Sequence, residues 1–257
     1  MKILIRLLFI FGFFFIPKHL LACEFIIGWE EWPPYQYEEN DQILGIDIDI
    51  TRAVINAENC KATFKKMTWQ RQLNSIKSGK IDLGAAASKT ADREEFAYFT
   101  EKYRDETMSL FLRKGLKDMQ IKDLKELEKM VISGHFKLGI VRGYHYGAEF
   151  GELLKNKTFK KNIQEVDNIK QNIIKCTSKR IDGFLGDKFG VTSMILKDKL
   201  GDKIVISDFD VNSDGVFFML SKKSATPQKI KKLESGLRKI KDKGYIKQIK
   251  EKYMSRH

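Results

Sequence analysis

The sequence predicts an α/β protein of two lobes, each built around a largely parallel sheet. Strand and helix patterns alternate along nearly the whole chain, and such alternation produces parallel strands joined by helical crossovers. The alternation runs in two successive rounds, with extended segments between them. The composition fits a packed core: 42% hydrophobic and 32% charged, with no low-complexity tract. At 257 residues the chain can form one large domain or two lobes without needing staples. Three cysteines and four prolines exclude a disulfide scaffold and a Pro-rich linker protein.

The first element is expected to be an export signal, residues 1–22. Lys2 and Arg6 make a basic start, an apolar run extends from Leu7 to Ile16, and Ala22 precedes Cys23. The run is about half the ~20 residues that cross a bilayer. The segment carries Lys2, Arg6 and Lys18 and no acid, so cleavage after Ala22 lowers the net charge from +13 to +10. The destination is an oxidising compartment outside the cytoplasm, in a Gram-negative cell the periplasm. Leu20-Leu21-Ala22-Cys23 also resembles a lipobox, which would anchor the chain through a lipidated Cys23. The immediate start of a strand at Glu24 leaves no spacer and favours plain cleavage.

Residues 25–29 read as that strand, and residues 48–57 as a helix with Ile50, Ala53, Val54 and Ala57 on one face. Residues 61–67 form the next strand. If the two strands are parallel neighbours, Cys23 and Cys60 lie at the same sheet edge. A Cys23–Cys60 disulfide there would stabilise by ~3–4 kcal/mol through loop closure. A helix over 69–78 ends at Gly79, a strand covers 81–86, and Thr90 caps a short helix. An extended stretch over 107–113 opens the second round.

That round comprises helix 124–130, strand 137–141, helix 148–154, strand 162–166, helix 169–178, strand 183–186 and helix 188–196. Cys176 falls on the apolar stripe of its helix with Ile169 and Ile173, as a buried free thiol. Strands over 204–207 and 215–220 lead to a long helix starting near Thr226-Pro227. Its basic residues, from Lys229 to Lys250, suggest nucleic acid at first sight. Ile230, Leu233, Leu237 and Ile240 recur at 3-4-3 spacing, however, so one face docks and the lysines are solvated. No nucleic-acid partner is expected.

The chemistry is that of recognition. His19, His135, His145 and His257 are scattered, no metal or cofactor site is expected, and no nucleophile is paired with a base. The aromatic, Pro-stiffened loop Trp29 to Tyr37 follows the first strand, at the strand end where α/β sheets bind ligands. Trp32 is its candidate ligand-facing ring. Asp47 and Asp49 stand in the first turn of a helix, where they suit its dipole. In Ser88-Lys89-Thr90-Ala91-Asp92-Arg93 a capped helix start and an arginine converge, as a carboxylate site would require.

Four segments, in order, resemble the extracellular solute-binding proteins of ABC transporters, family 3, which bind polar amino acids. They are Gly45-Ile46-Asp47-Ile48-Asp49-Ile50, Ser88 to Arg93, Ile181-Asp182-Gly183-Phe184-Leu185-Gly186-Asp187, and Lys243-Gly244-Tyr245 to Glu251-Lys252-Tyr253. The resemblance implies a two-lobed periplasmic-binding-protein (type II) fold with a ligand cleft. Lobe one would be residues 23–106 plus 211–257, and lobe two residues 107–210. It further implies that Arg93 grips the ligand carboxylate and Asp187 accepts its ammonium. Trp32 and Trp69 would flank the side chain, with Ser88 contributing from a strand end. Two departures stand out. Ala85-Ala86 replaces hydroxyl residues, and Gly143-Tyr144-His145-Tyr146 replaces a small hydroxyl loop, bringing Tyr144 into the ligand set.

The expected function is a monomeric periplasmic receptor that delivers an amino acid, or a similar small polar solute, to a membrane permease. A dehydratase-like enzyme on the same scaffold would recruit Glu30, Glu31 or His145 as general acid. A ligand-sensing module is the third reading.

Overall fold

The structure is a computed structural model that describes residues 23–119 and 121–254, so the expected export segment lies outside the described residues. The chain opens with β1 (Glu24–Trp29), a hairpin of β2 (Tyr37–Glu39) and β3 (Gln42–Leu44), α1 (Ile46–Asn56), β4 (Lys61–Lys66), α2 (Trp69–Ser78) and β5 (Leu83–Ala87). The one-turn α3 (Ala91–Glu94) and β6 (Ala97–Phe99) lead into β7 (Arg104–Arg113). Next come α4 (Leu124–Ile132), β8 (Leu138–Val141), α5 (Ala148–Leu153), α6 (Lys157–Lys161) and β9 (Ile163–Val166). Then follow α7 (Ile169–Thr177), β10 (Gly183–Asp187) and α8 (Lys188–Lys197). The chain closes with β11 (Ile204–Ser221), α9 (Pro227–Asp242) and α10 (Tyr245–Met254).

Each lobe has a parallel three-strand centre, as the alternating pattern requires. β1 lies parallel between β4 and β5, and β8 lies parallel between β9 and β10. The lobes are joined by two antiparallel strands, giving the order β4-β1-β5-β11-β7-β10-β8-β9, with β6 on β11. The start of β11 pairs with the end of β7 through Ile204 and Arg113, while its far end pairs with β5 and β6. Register slips between Ile206 and Asn212 interrupt the β7–β11 ladder. Two strands therefore carry the chain from lobe to lobe, and residues on them sit at the base of the space between.

Several elements depart from the sequence reading; besides β6 and α6, which it did not include, and the earlier start of β7, three stand out. The strands expected at 204–207 and 215–220 are one continuous β11. Its polar middle, Asp208 to Asp214, lacks the apolar pattern of a buried strand but is paired nonetheless. The long C-terminal helix is two, α9 and α10, parted at Gly244 with φ +69°, the left-handed conformation that glycine adopts without strain. The hairpin β2–β3 was not expected from its acidic sequence; Asn40 and Asp41 turn it with φ +50° and +60°. The docking face of α9 is as expected: Leu233, Leu237 and Ile240 are buried and pack toward α1.

Cys23 and Cys60 are joined by a disulfide, their Cα atoms 4.8 Å apart. The parallel register places Glu24 beside Lys61, one residue beyond each cysteine. A sulfur in that bond cannot also carry an acylated glyceryl thioether, so the disulfide and a lipid anchor on Cys23 are mutually exclusive. Cys176 is a buried free thiol, its pKa pushed up to about 12 by desolvation.

Candidate ligand-binding cleft

The lobes meet across a cleft. From lobe one come the loop after β1, the start of α2, the end of β5 and α3. From lobe two comes the turn after β8, and β7 forms the floor. The cavity between them holds ≈350 Å³ of empty space counted out to its open mouth. Of the six residues expected to hold ligand, Trp32, Trp69, Ser88, Arg93 and Tyr144 line this cavity, as do Ala85 and Ala86. Asp187 is not in its lining.

Arg93 bridges the lobes. Thr90 caps α3 by accepting the Arg93 N–H at 3.4 Å, which fixes the residue one turn in. Its Nη1 donates to the Ser88 carbonyl at 2.7 Å and its Nη2 to the Gly143 carbonyl at 2.9 Å. The guanidinium also lies 5.4 Å from the Trp69 ring centroid. Burial lowers its pKa to about 10, while Glu106 partly offsets that loss. Two of its five donors are engaged by carbonyls, so the remainder can meet a carboxylate.

The same Gly143 carbonyl accepts the Trp69 indole N–H at 2.9 Å. Gly143 has φ +80°, and a Cβ there would stand 2.7 Å from Gln70 Oε1 and 3.2 Å from Leu73 Cδ1. Only glycine lets this turn reach α2 in the closed arrangement. The sequence places Gly143 in the loop Gly143-Tyr144-His145-Tyr146, but nothing in its neighbours indicates the approach to α2.

Two carboxylates line the cavity, in different circumstances. Glu30 Oε1 accepts the Tyr144 hydroxyl at 2.7 Å, and Oε2 accepts the Trp69 N–H at 3.1 Å. Burial nonetheless raises its pKa to about 7. Glu106, on β7, is 8% exposed, and its carboxylate makes no hydrogen bond or ion pair among the described residues. Desolvation raises its pKa to about 8, against the attraction of Arg104. Sequence reasoning missed Glu106 because the extended stretch was begun at Thr107. The usable signal was alternation: Arg104, Glu106 and Met108 share one face of β7.

Arg104 answers to Asp47 rather than to ligand. Its Nε and Nη2 meet Asp47 Oδ1 and Oδ2 at 2.9 and 2.8 Å, and the Tyr103 hydroxyl donates to Oδ1 at 3.0 Å. Asp47 is thus a buried anchor in α1, beyond the dipole role read from its position. Asp187 caps α8 by accepting the Gly190 N–H at 2.6 Å, and its Oδ1 also accepts the Tyr35 hydroxyl from lobe one at 2.9 Å. Burial raises its pKa. Trp32 and Trp69 are 5% and 7% exposed, so they are packed as well as cavity-lining. Of the candidate acids, Glu31 pairs with Lys66 away from the cleft, whereas His145 lines the cavity with its pKa lowered by burial.

Comparison with known proteins agrees with this architecture. The profile described as bacterial extracellular solute-binding proteins, family 3, matches residues 25–256. A probable histidine-binding protein of Neisseria gonorrhoeae is 23% identical over 230 residues, covering 88% of this chain and 81% of that protein. The arginine-binding periplasmic protein of Mannheimia haemolytica is 21% identical over 239 residues, covering 91% and 92%. Among solved structures, an ancestral arginine-binding protein bound to arginine superposes with a TM-score of 0.77 at 22% identity, covering 91% of this chain and 99% of that one.

Proposed function

The chain belongs to the bacterial extracellular solute-binding proteins, family 3, and on that premise we propose that it is a periplasmic receptor for a cationic L-amino acid. One observation carries this reading: the cavity sets a single arginine, Arg93, against two buried carboxylates, Glu30 and Glu106. Arg93 matches the ligand carboxylate. The two acids match two positive charges, an α-ammonium and a cationic side chain. Both acids have raised pKa values because the closed cleft disfavours their charge, and a bound cation relieves that cost. Relatives named as arginine- and histidine-binding proteins support the same class.

Trp32 and Tyr144, with ring centroids 6.3 Å apart, supply the apolar wall for the ligand's methylene chain. Lobe one comprises residues 23–106 and 211–257, and lobe two residues 107–210. The lobes close over the solute, and the closed monomer hands it to the membrane permease of an ABC transporter. The export segment is removed before Cys23. Calorimetric titration of residues 23–257 with the twenty L-amino acids tests the reading. Arginine, lysine or histidine should bind best; a preference for acidic or apolar amino acids would overturn it.

A further inference from the structure

We propose that Tyr103, which precedes the floor strand β7, is a positioning residue of the cleft. Its hydroxyl holds Ala86 in a left-handed conformation, and that conformation sets the end of β5 from which Ser88 and Arg93 are presented. The proposal rests on the binding role proposed above, but its first readout needs no ligand.

Ala86 has φ +56° and sits inside β5, on the wall of the cavity. The other non-glycine residues with positive φ among the described residues are Asn40, Asp41, Asn59, Lys179 and Lys199, and all five lie in turns. In this conformation Cβ crowds the following carbonyl, so alanine adopts it only where its surroundings compensate.

The β5–β11 ladder places those surroundings. β11 meets β5 at Phe217–Ala87 and again at Met219–Gly84, so Ala85 and Ala86 together oppose Phe218. One extra residue on β5 makes a β-bulge beside the cavity. Both backbone groups of Phe218 are taken by Thr100: its N–H donates to Thr100 Oγ1, and its carbonyl accepts the Thr100 N–H, each at 3.2 Å. The Ala86 N–H turns instead to the Tyr103 hydroxyl, to which it donates at 2.8 Å.

Tyr103 is itself fixed on two sides. Its hydroxyl donates to Asp47 Oδ1 at 3.0 Å, the oxygen that also accepts Arg104 Nε. Its ring stacks on Phe218 with centroids 4.7 Å apart. One phenol thus spans the bulge, with its hydroxyl on the extra residue and its ring on the residue opposite.

A bulge re-aims the strand beyond it. Two residues past Ala86, the Ser88 carbonyl accepts Arg93 Nη1 at 2.7 Å. The chain of support therefore runs from the Asp47–Arg104 pair through Tyr103 and Ala86 to the arginine of the cleft.

The test uses residues 23–257 as parent, with Tyr103→Phe, Ala86→Gly and the double variant. Without ligand, the Ala86 amide should exchange its hydrogen about tenfold faster or more in Tyr103→Phe than in the parent. In calorimetric titrations with L-arginine, L-lysine and L-histidine, Tyr103→Phe should weaken binding about tenfold. Glycine adopts the left-handed conformation freely, so the double variant should return to within about threefold of the parent. A merely structural role for Tyr103 predicts no such rescue, because glycine restores no contact. Ala86→Gly alone should melt no lower than the parent, whereas in an extended strand the same change lowers stability. That comparison decides even where Tyr103→Phe does not fold, and a lower melting temperature would overturn the proposal. Unchanged exchange, unchanged affinity, or a loss that Ala86→Gly does not recover would each overturn it as well. If the parent binds none of the three amino acids, the cationic reading fails; faster exchange in Tyr103→Phe would still support this inference, and unchanged exchange would sink it.

Discussion

Asp47 and Arg104 form a two-pronged ion pair whose side chains are 0% and 2% exposed. The pair ties α1 to the first of the two strands that join the lobes. The Arg104 guanidinium also lies 4.0 Å from the Tyr35 ring centroid, so the pair supports the loop that carries Trp32. Replacing one partner strands the other in an apolar setting, which costs roughly 3–5 kcal/mol. Asp47→Ala and Arg104→Met should each lower the melting temperature by on the order of 10 °C. The double variant Asp47→Leu with Arg104→Met should recover much of that loss, because a buried pair adds little over apolar packing. Thermal melts of the three variants check this; a double variant no better than the singles would mean the pair is irreplaceable for another reason.

The turn at Gly143 predicts a separate effect on closure. Gly143→Ala adds a Cβ at φ +80° and within 3.2 Å of Leu73, so it penalises the closed arrangement while leaving each lobe's core untouched. Arg93 and Trp69 then lose their shared acceptor. Ligand affinity should fall about tenfold or more. The unliganded variant should have a larger radius of gyration in solution scattering than the parent. Unchanged affinity and size would show that the turn accommodates the methyl group.

The raised acids predict opposite pH trends for the unliganded and liganded protein. Glu30 and Glu106 have folded pKa values of about 7 and about 8, above the ordinary value of 4.5. The folded state therefore binds these protons more tightly than the unfolded chain. Their contribution is most favourable below about pH 4.5 and is lost progressively as pH rises through about 8. Arg104 and Arg93 pull the Glu106 value down, and Asp187 and Asp47 push it up, so the trend is the balance of these four with burial. A cationic ligand reverses it, since binding favours the ionised acids. The melting-temperature gain on adding L-arginine should grow from pH 6 to pH 8, and Glu106→Gln should flatten that growth. A gain independent of pH would mean that the cation does not face these acids.

Much of the fold was legible because apolar periodicity reports directly on which face of an element is buried. Ile50 and Val54 on α1, and Leu233 and Leu237 on α9, are buried as their spacing requires. The disulfide followed from two cysteines preceding neighbouring parallel strands. The site was legible where a residue's position depends on its own segment, as with Arg93, which lines the cavity one turn past the Thr90 cap. It was not legible where the role depends on a distant partner. Nothing near Asp47 in sequence indicates Arg104, nor does anything near Asp187 indicate Tyr35, 152 positions away. Glu106 was hidden for a further reason: an acid in a strand reads as a solvent-facing position unless the strand is known to floor a cleft.

The last prediction concerns Arg93. Its guanidinium is 7% exposed, held by the Ser88 and Gly143 carbonyls and set against the Trp69 ring. The side chain bridges the lobes, and its remaining donors stand at the cavity, where the proposed function assigns them a carboxylate. Arg93→Ala should weaken binding by tenfold to several hundredfold, but that loss alone does not separate the two functions. Argininamide separates them, because it keeps the ammonium and the guanidinium and removes only the negative charge. If Arg93 receives the carboxylate, the parent should prefer L-arginine over argininamide by tenfold or more, and Arg93→Ala should show almost no preference. Arg93→Lys keeps the charge without the planar fork, so it should retain part of the preference while losing the two-carbonyl bridge. Combined with Glu106→Gln, the losses should be less than additive if both residues hold one small ligand in one closed state. A preference that survives unchanged in Arg93→Ala would confine Arg93 to bridging the lobes and leave the carboxylate to another donor.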